Sequence, residues 1–239
     1  MNARPHDASP RRRIYLMRHG SVTYFDADGK PRDPDSAPLN AVGRREAAAA
    51  GQLFARDGVR FDRVIVSGLV RTVETAELVL NEMGAACRLE AWPELVEIRG
   101  GQLSKLRDDE LRDAFLGSLE GCPDPGTRFL GGESVGELLD RVVPALERLR
   151  ASSDWKTVLL VLHGGVNRAI ISHALTGEHR LLGGLQQSPA SVSALDVGSH
   201  PRDWVVRYVN LFASDLLQRH ARRTTMEELL DQYLVGRRG

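Results

Sequence analysis

The chain is poor in cysteine and has no excess of charge of either sign. Its 239 residues include two cysteines, Cys87 and Cys122, which lie far apart and show no CxxC spacing. This argues against a disulfide scaffold and a structural zinc site, and it fits a reducing compartment. Lys and Arg total 32, as do Asp and Glu, so the formal net charge is +0. A neutral chain gives no global electrostatic reason to expect nucleic acid as a partner.

Long apolar runs are absent as well. The run VLLVL at 158–162 is too short to span a membrane, and the opening MNARPHDASPRRR lacks the apolar core of a signal peptide. We therefore expect a disordered N-terminal tail over residues 1–12, a cytoplasmic protein and no membrane partner. Hydrophobic residues at 42% and charged residues at 27% are ordinary for a globular protein, and the length suits one large α/β domain.

Three segments share one plan, in which a short apolar run is followed by a polar turn and then by a helical pattern. The apolar runs are Ile14–Met17, Val64–Val66 and Val158–Leu162. Gly84 and Gly177 lie where helices that follow the second and third runs would end. Strands that are apolar on both faces and alternate with helices indicate a mostly parallel sheet covered on both sides. The predicted fold is a three-layer α/β/α architecture.

Other helices and one further strand are predicted between and after these units. Periodicity indicates a helix from Ala41 to Arg56, helices within 103–119 and 132–152, and a terminal helix with a Thr225–Glu228 capping box. Pro144 lies inside the third of these and predicts a kink or a displaced start. A strand is expected near residue 207.

Polar residues follow all three apolar runs. Arg18-His19-Gly20 follows the first, Ser67-Gly68 with Arg71 the second, and His163-Gly164-Gly165 the third. Because the carboxyl ends of parallel strands share one edge of a sheet, this pattern predicts a compact site for a dianion. Two alternatives are simpler: His163 is a core histidine bonded to a carbonyl, and Arg71 is a helix-surface arginine that pairs with Glu74 or Glu77.

These motifs resemble, in order, those of the histidine phosphatase superfamily, also called phosphoglycerate mutase-like. The resemblance runs from about Arg13 to Asn210. It is carried by YLMRHG, by LNAVGRREA for the family's L-T-x-x-G-x-x-Q-A, by VIVSGLVRTVETA, by LVEIRGG, by GGES and by VLHGGVNRAI. The resemblance implies a phosphoglycerate mutase-like fold, with a phosphatase domain over residues 13–210 and a C-terminal helical extension over 211–239.

The resemblance also implies roles for individual residues. His19 would be the nucleophile that forms a phosphohistidine, and Arg18, Arg71 and His163 would bind the phosphoryl oxygens. Glu97 would be the general acid, with Glu94 as the rival three residues earlier. Ser21 and Gly164 join the predicted substrate-binding residues, and neither a metal nor another cofactor is implied.

Two further residues have open roles. Glu133, in GGES, is interpreted as a carboxylate that starts a helix rather than as a site residue. Arg168, one turn after His163, either reaches toward the substrate or forms a structural salt bridge.

The chain departs from the mutases of this family in several places. Ser21 stands where an acidic residue is common, Phe25 replaces an asparagine, and QLS at 102–104 replaces W-E-G. These changes favour a phosphomonoesterase acting on a small phosphorylated metabolite. The alternatives are a mutase and a non-catalytic phosphate-binding scaffold.

The extension after Asn210 carries apolar residues at helical spacing, which predicts two amphipathic helices joined near Arg222–Thr224. Their apolar faces must be covered by the parent domain, by a second subunit in a homodimer, or by the mouth of the active site.

Overall fold

The computed structural model describes residues 11–26, 30–102, 107, 109–216, 218, 219 and 221–236. Within these ranges six strands form a single sheet: β1 (Arg12–Arg18), β2 (Arg63–Val66), β3 (Leu89–Ala91), β4 (Thr157–Leu162), β5 (Val192–Val197) and β6 (Trp204–Leu211). The same ranges contain six α-helices: α1 (Ala41–Arg56), α2 (Val70–Glu82), α3 (Leu111–Leu116), α4 (Val135–Ala151), α5 (Gly164–Thr176) and α6 (Thr225–Gly236). Residues 1–10 of the predicted disordered tail lie outside the described residues. Arg12, which the prediction placed in the tail, belongs to β1.

The strand order in the sheet is β3-β2-β4-β1-β5-β6. β1, β2, β3 and β4 are parallel, whereas β5 runs antiparallel to both of its neighbours. The predicted α/β fold with a mostly parallel sheet is therefore confirmed. The sequence predicted β1, β2, β4 and β6 but missed β3 and β5.

Two apolar layers separate the sheet from its helices. On one face, Met17 and Val66 pack against residues of α1 and α2 such as Phe54 and Val79. On the other face, Leu16 belongs to a larger cluster that includes α4 and α5. Burying each such side chain contributes about 1.5–3 kcal/mol, which explains why strands that are apolar on both faces are covered on both sides.

Helix α1 has the bounds that the sequence predicts, and its first turn is capped by the side chain of Asn40, which accepts a hydrogen bond from Gly43 N. Helix α4 starts at Val135 and runs without a break through Pro144, so the start is not displaced, and the kink stays a prediction. Pro144 is exposed, so the carbonyl that it leaves without a donor faces solvent. Helix α3 is much shorter than the predicted 103–119 segment; residues 103–106 and 108 lie outside the described residues.

The described part of the C-terminal extension contains one helix, where the sequence predicted two. In the described part of 212–224 the backbone forms turns, and Leu217 lies outside the described residues. The side-chain amide of Gln218 donates to Asn210 O at 2.8 Å and its oxygen accepts from Ser188 Oγ at 3.1 Å, so bonds to residues outside the predicted helix hold this segment. The capping box of α6 is also one residue earlier than predicted, with Glu227 N donating to Thr224 Oγ1. Within the described ranges no helix has both the length and the apolar content needed to cross a membrane.

Candidate active site

The polar residues that follow β1, β2 and β4 meet at the carboxyl edge of the sheet. β4 lies between β1 and β2, so His163 is brought beside His19, with 5.2 Å between the ring centroids. Arg18, His19, Arg71 and His163 are all buried. The structure therefore brings together the residues that the sequence predicted to form an anion site. The interpretation of Arg71 as a surface arginine is wrong, since 2% of it is exposed.

His19 has a defined tautomer. Its Nδ1 lies 2.7 Å from the carbonyl oxygen of Gly20. A carbonyl can only accept a hydrogen bond, so Nδ1 carries the proton and Nε2 holds a lone pair. Burial, reinforced by the charges of Arg18 and Arg71, lowers the pKa of His19 well below its usual range. The imidazole is therefore neutral, with Nε2 available as a nucleophile at neutral pH.

The two arginines beside His19 are each anchored at one end. Arg18 Nη1 donates to Gln187 O at 2.6 Å and to Thr225 Oγ1 at 2.8 Å. Arg71 Nη1 donates to Pro34 O at 2.5 Å. The Nε atoms of both arginines are buried and have no hydrogen-bond partner among the described residues. Fixed guanidiniums with free donors are suited to the oxygens of a phosphoryl group.

His163 contacts a hydroxyl, not a backbone carbonyl. Its Nε2 lies 2.8 Å from Ser67 Oγ, and its buried Nδ1 has no partner within the described part of the chain. Burial and the nearby His19 lower the pKa of His163 well below its usual range. Gly68, next to Ser67, has φ +96°, a conformation that favours glycine and turns the chain from β2 into α2.

Of the two candidate acids, Glu97 lies at the site. Its Oε1 accepts hydrogen bonds from Gly165 N at 3.0 Å and from Ile98 N at 2.9 Å. A Cβ on Gly165 would lie 2.7 Å from that oxygen, so glycine is required for this contact. Glu94 instead pairs with Arg148 on the surface. The geometry favours Glu97 as the acid.

A partly buried arginine that the sequence analysis overlooked holds the segment that carries Glu97. Arg141 donates to the carbonyls of Glu94 at 2.8 Å, Val96 at 2.7 Å and Glu97 at 3.1 Å. Its other N–H groups form a two-point ion pair with Glu133. Glu133 thus has a structural role, although as the partner of Arg141 and not as a simple helix-starting carboxylate.

Beside Glu97 lies a small cavity of about 40 Å³. Its lining residues are Arg18, Glu97, Ile98, Leu119, Phe129, Gly164, Gly165, Arg168, Thr225 and Met226. Arg168 donates to Gly183 O at 3.0 Å and to Gln186 Oε1 at 3.3 Å, and it forms no ion pair with any described residue. Burial, together with the charge of Arg18, lowers the pKa of Arg168 to about 10. The structure therefore does not contain the predicted alternative of a salt bridge at Arg168.

Gly164 and Ser21 differ in how close they lie to this cavity. A Cβ on Gly164 would lie 3.7 Å from both Arg18 Nε and Glu97 Oε2, so Gly164 faces the predicted site. Ser21 N and Oγ donate to Glu46 at 2.8 and 3.0 Å, and a role in substrate binding stays a prediction for it.

Thr225 and Arg141 contact site residues, and Tyr24 lies within the electrostatic influence of Arg71 and Arg18; the motifs indicated none of the three. Burial raises the pKa of Tyr24, against the lowering effect of Arg71 and Arg18.

Among the described residues no group of three or more His, Cys, Asp or Glu side chains is arranged to hold a metal ion.

Comparison with known proteins identifies relatives over most of the chain. The model of the histidine phosphatase superfamily (branch 1) matches residues 14–211. A metal-independent phosphoserine phosphatase of Arabidopsis thaliana is 32% identical over 164 residues, which are 66% of this chain and 66% of that protein. A probable phosphoglycerate mutase of Klebsiella pneumoniae (strain 342) is 31% identical over 86% of this chain and 99% of its own.

Solved structures show the same architecture. A mycobacterial glucosyl-3-phosphoglycerate phosphatase in complex with VO3 is 25% identical, with a TM-score of 0.65 over 83% of this chain and 98% of that one. The α-ribazole phosphatase of Shigella flexneri is 24% identical and has a TM-score of 0.63 over 83% and 96% of the two chains. At 24% identity this second similarity supports the fold alone.

Proposed function

From the premise that the chain belongs to the histidine phosphatase superfamily (branch 1), we propose that it is a metal-independent phosphomonoesterase. Its substrate is a small phosphorylated metabolite, and the reaction passes through a phosphohistidine on His19.

In the first step Nε2 of His19 attacks the phosphorus atom, and the bond from phosphorus to the leaving oxygen breaks. Glu97, in its protonated form, gives its proton to that oxygen, so the product leaves as an alcohol. Arg18 and Arg71, with their unpartnered Nε donors, stabilise the charge on the equatorial oxygens, and the ring of His163 lies beside that of His19.

In the second step water attacks the phosphohistidine. Glu97, now a carboxylate, accepts a proton from the water, and the bond between phosphorus and Nε2 breaks. Inorganic phosphate is released, and both His19 and Glu97 return to their starting protonation states.

The observation that carries this proposal is the state of His19. A buried imidazole with Nδ1 bonded to Gly20 O and a lowered pKa keeps Nε2 unprotonated beside two cationic side chains. Support also comes from two relatives whose names describe phosphatases, one of them metal-independent.

One specific finding favours the mutase alternative: a relative named a probable phosphoglycerate mutase matches 86% of this chain. In that reaction the phosphoryl group on His19 passes to a bound acceptor instead of water. The scaffold alternative is disfavoured because every position with a predicted catalytic role is filled.

The test combines a trapping experiment with a matched control variant. Rapid quench with a ³²P-labelled aryl phosphate should trap an acid-labile, base-stable phosphoenzyme in the wild type and in His179→Ala, whose exposed histidine pairs with Asp140. His19→Ala should give no phosphoenzyme and lose at least roughly a thousandfold in kcat. Turnover without a phosphoenzyme, or an active His19→Ala, would overturn the mechanism.

Two further assays separate the alternatives. Activity toward the aryl phosphate should be unchanged by EDTA; loss that added metal restores would contradict metal independence. An assay with 3-phosphoglycerate and a bisphosphoglycerate primer measures mutase activity, and turnover there above aryl-phosphate hydrolysis would favour the mutase.

A further inference from the structure

Helix α6 begins at the predicted active site, although it lies beyond residues 14–211 that the family model matches. Its first residue, Thr225, accepts a hydrogen bond from Arg18 Nη1 at 2.8 Å, and its second, Met226, lines the cavity beside Glu97. A segment outside the residues that the family model matches thus contacts Arg18 and lines the cavity beside Glu97.

The position of α6 is fixed by packing. Tyr233 is buried with its ring centroid 5.8 Å from that of Phe115 in α3 and 6.2 Å from that of Phe25. Met226, Leu230 and other apolar residues of α6 belong to the same cluster. The Thr224–Glu227 capping box starts the helix just before Thr225, so the backbone of Thr225 is already helical.

The contact with Thr225 restricts how Arg18 can bind an anion. Nη1 carries two hydrogens, and both are used, one toward Gln187 O and one toward Thr225 Oγ1. Nε has no partner among the described residues, so the guanidinium is anchored through Nη1 and offers its remaining donors. Without the hydroxyl of Thr225, one anchor of the guanidinium would be lost.

Met226 acts on a different part of the site. With Ile98, Leu119 and Phe129 it forms the apolar side of the cavity of about 40 Å³, which has room for roughly three water molecules. In the proposed reaction Glu97 protonates the leaving oxygen, so the leaving group must occupy the space next to Glu97. Met226 therefore borders the space that a leaving group would fill.

We propose that α6 is part of the active site: Thr225 is a positioning residue for Arg18, and Met226 limits the size of the leaving group. The substrates are accordingly phosphomonoesters of small alcohols. This inference rests on the proposed function, in which Arg18 binds the phosphoryl group and Glu97 protonates the leaving oxygen.

The test of Met226 compares two substrates whose leaving groups differ in size, phenyl phosphate and 1-naphthyl phosphate. Met226→Ala should raise the ratio of kcat/KM for naphthyl over phenyl phosphate about tenfold, the scale of a small volume change in an apolar pocket. Leu234→Ala is the matched control, because it truncates the same apolar cluster without lining the cavity. If the ratio stays at the wild-type value in Met226→Ala, or rises equally in Leu234→Ala, the assignment of Met226 is overturned.

The test of Thr225 uses calorimetric binding of inorganic phosphate as well as kinetics. Thr225→Val should weaken phosphate binding about tenfold, the scale of one hydrogen bond to a charged group, whereas Thr225→Ser should restore it. In an Arg18→Lys background, Thr225→Val should have little further effect, because the two residues act together. Unchanged phosphate binding in Thr225→Val, or equal weakening in Thr225→Ser, would overturn this role.

The outcomes also distinguish this inference from the proposed function. A normal phosphoenzyme on His19, with Met226→Ala and Thr225→Val both behaving as wild type, would refute the inference alone. A protein inactive toward both aryl phosphates would refute the Met226 assignment together with the proposed function, and phosphate calorimetry would still decide on Thr225.

Discussion

Substitution of Arg141 by Met should separate the stability of the protein from the placement of Glu97, the proposed general acid. The guanidinium of Arg141 makes a two-point ion pair with Glu133, at 2.7 and 2.9 Å, and donates to three carbonyls of the 94–97 segment. Methionine matches the aliphatic part of the arginine side chain but supplies none of these donors.

The expected loss of stability follows from the burial of the pair. The side chains of Arg141 and Glu133 are 21% and 12% exposed, so Arg141→Met leaves a nearly buried carboxylate without its partner. Breaking a buried pair in this way costs about 3–5 kcal/mol, and partial exposure places the expected value near 3 kcal/mol. For a chain of this size that is a fall in Tm of roughly 6–12 °C.

The double variant Glu133→Gln/Arg141→Met removes the unpaired charge and should regain about 1–2 kcal/mol. Turnover should not recover with it, because the carbonyls next to Glu97 still lack their donor. A displacement of the acid by about 1 Å costs on the order of a hundredfold in rate. The loss should be larger for alkyl phosphates than for p-nitrophenyl phosphate, whose leaving group needs no proton.

Differential scanning calorimetry and steady-state kinetics on the single and double variants check both parts. Recovery of alkyl-phosphate turnover in step with Tm would refute the positioning of Glu97 by Arg141. Equal slowing of the two substrate classes would refute it as well.

Three further predictions concern the site and the fold. Glu97→Gln should slow the hydrolysis of alkyl phosphates more than that of p-nitrophenyl phosphate, and Glu94→Gln should slow neither. Competition kinetics would show whether Glu94→Gln, instead of Glu97→Gln, has the selective defect. Because the pKa of His19 is lowered in the folded protein, the unfolded chain binds more protons than the folded one below about pH 6.5. The free energy of unfolding should therefore fall as pH decreases through that value, and it should fall less in His19→Gln. Urea titrations at pH 7.5 and 5.5 will measure this difference. Gly43→Ala should lower the free energy of unfolding by about 3 kcal/mol, because the added Cβ would lie 2.1 Å from Ser21 O. An unchanged Tm would show that the α1 backbone can shift to make room.

The residues at the strand ends were predictable because their placement follows from a general rule. Arg18 ends β1, and His19 and His163 directly follow β1 and β4. Parallel strands bring their carboxyl ends to one edge whatever their order in the sheet. Helix α1 was predictable for a similar reason, since Asn40 and Gly58 mark its ends locally.

The missed features depend on distant partners. Thr225 lies 207 positions from Arg18, and nothing in the residues around it indicates a site. β5 was missed because Asp196 interrupts its apolar pattern; in the sheet that carboxylate is paired with Arg13 and Arg207 on the two neighbouring strands. The first tail helix was predicted from spacing alone, whereas the amide of Gln218 bonds to Asn210 O and favours turns.

The way in which the site arginines are anchored explains why their charge remains available. Arg18, Arg71 and Arg168 are each at most 8% exposed, and none of them forms an ion pair within the described part of the chain. Their N–H groups instead donate to the carbonyls of Gln187, Pro34 and Gly183. A carboxylate partner would satisfy the same donors but would also cancel the positive charge. A carbonyl satisfies the donor and leaves the charge. The charges of Arg18 and Arg71, which add to burial in keeping His19 neutral, would therefore also attract the phosphoryl dianion of the proposed substrate.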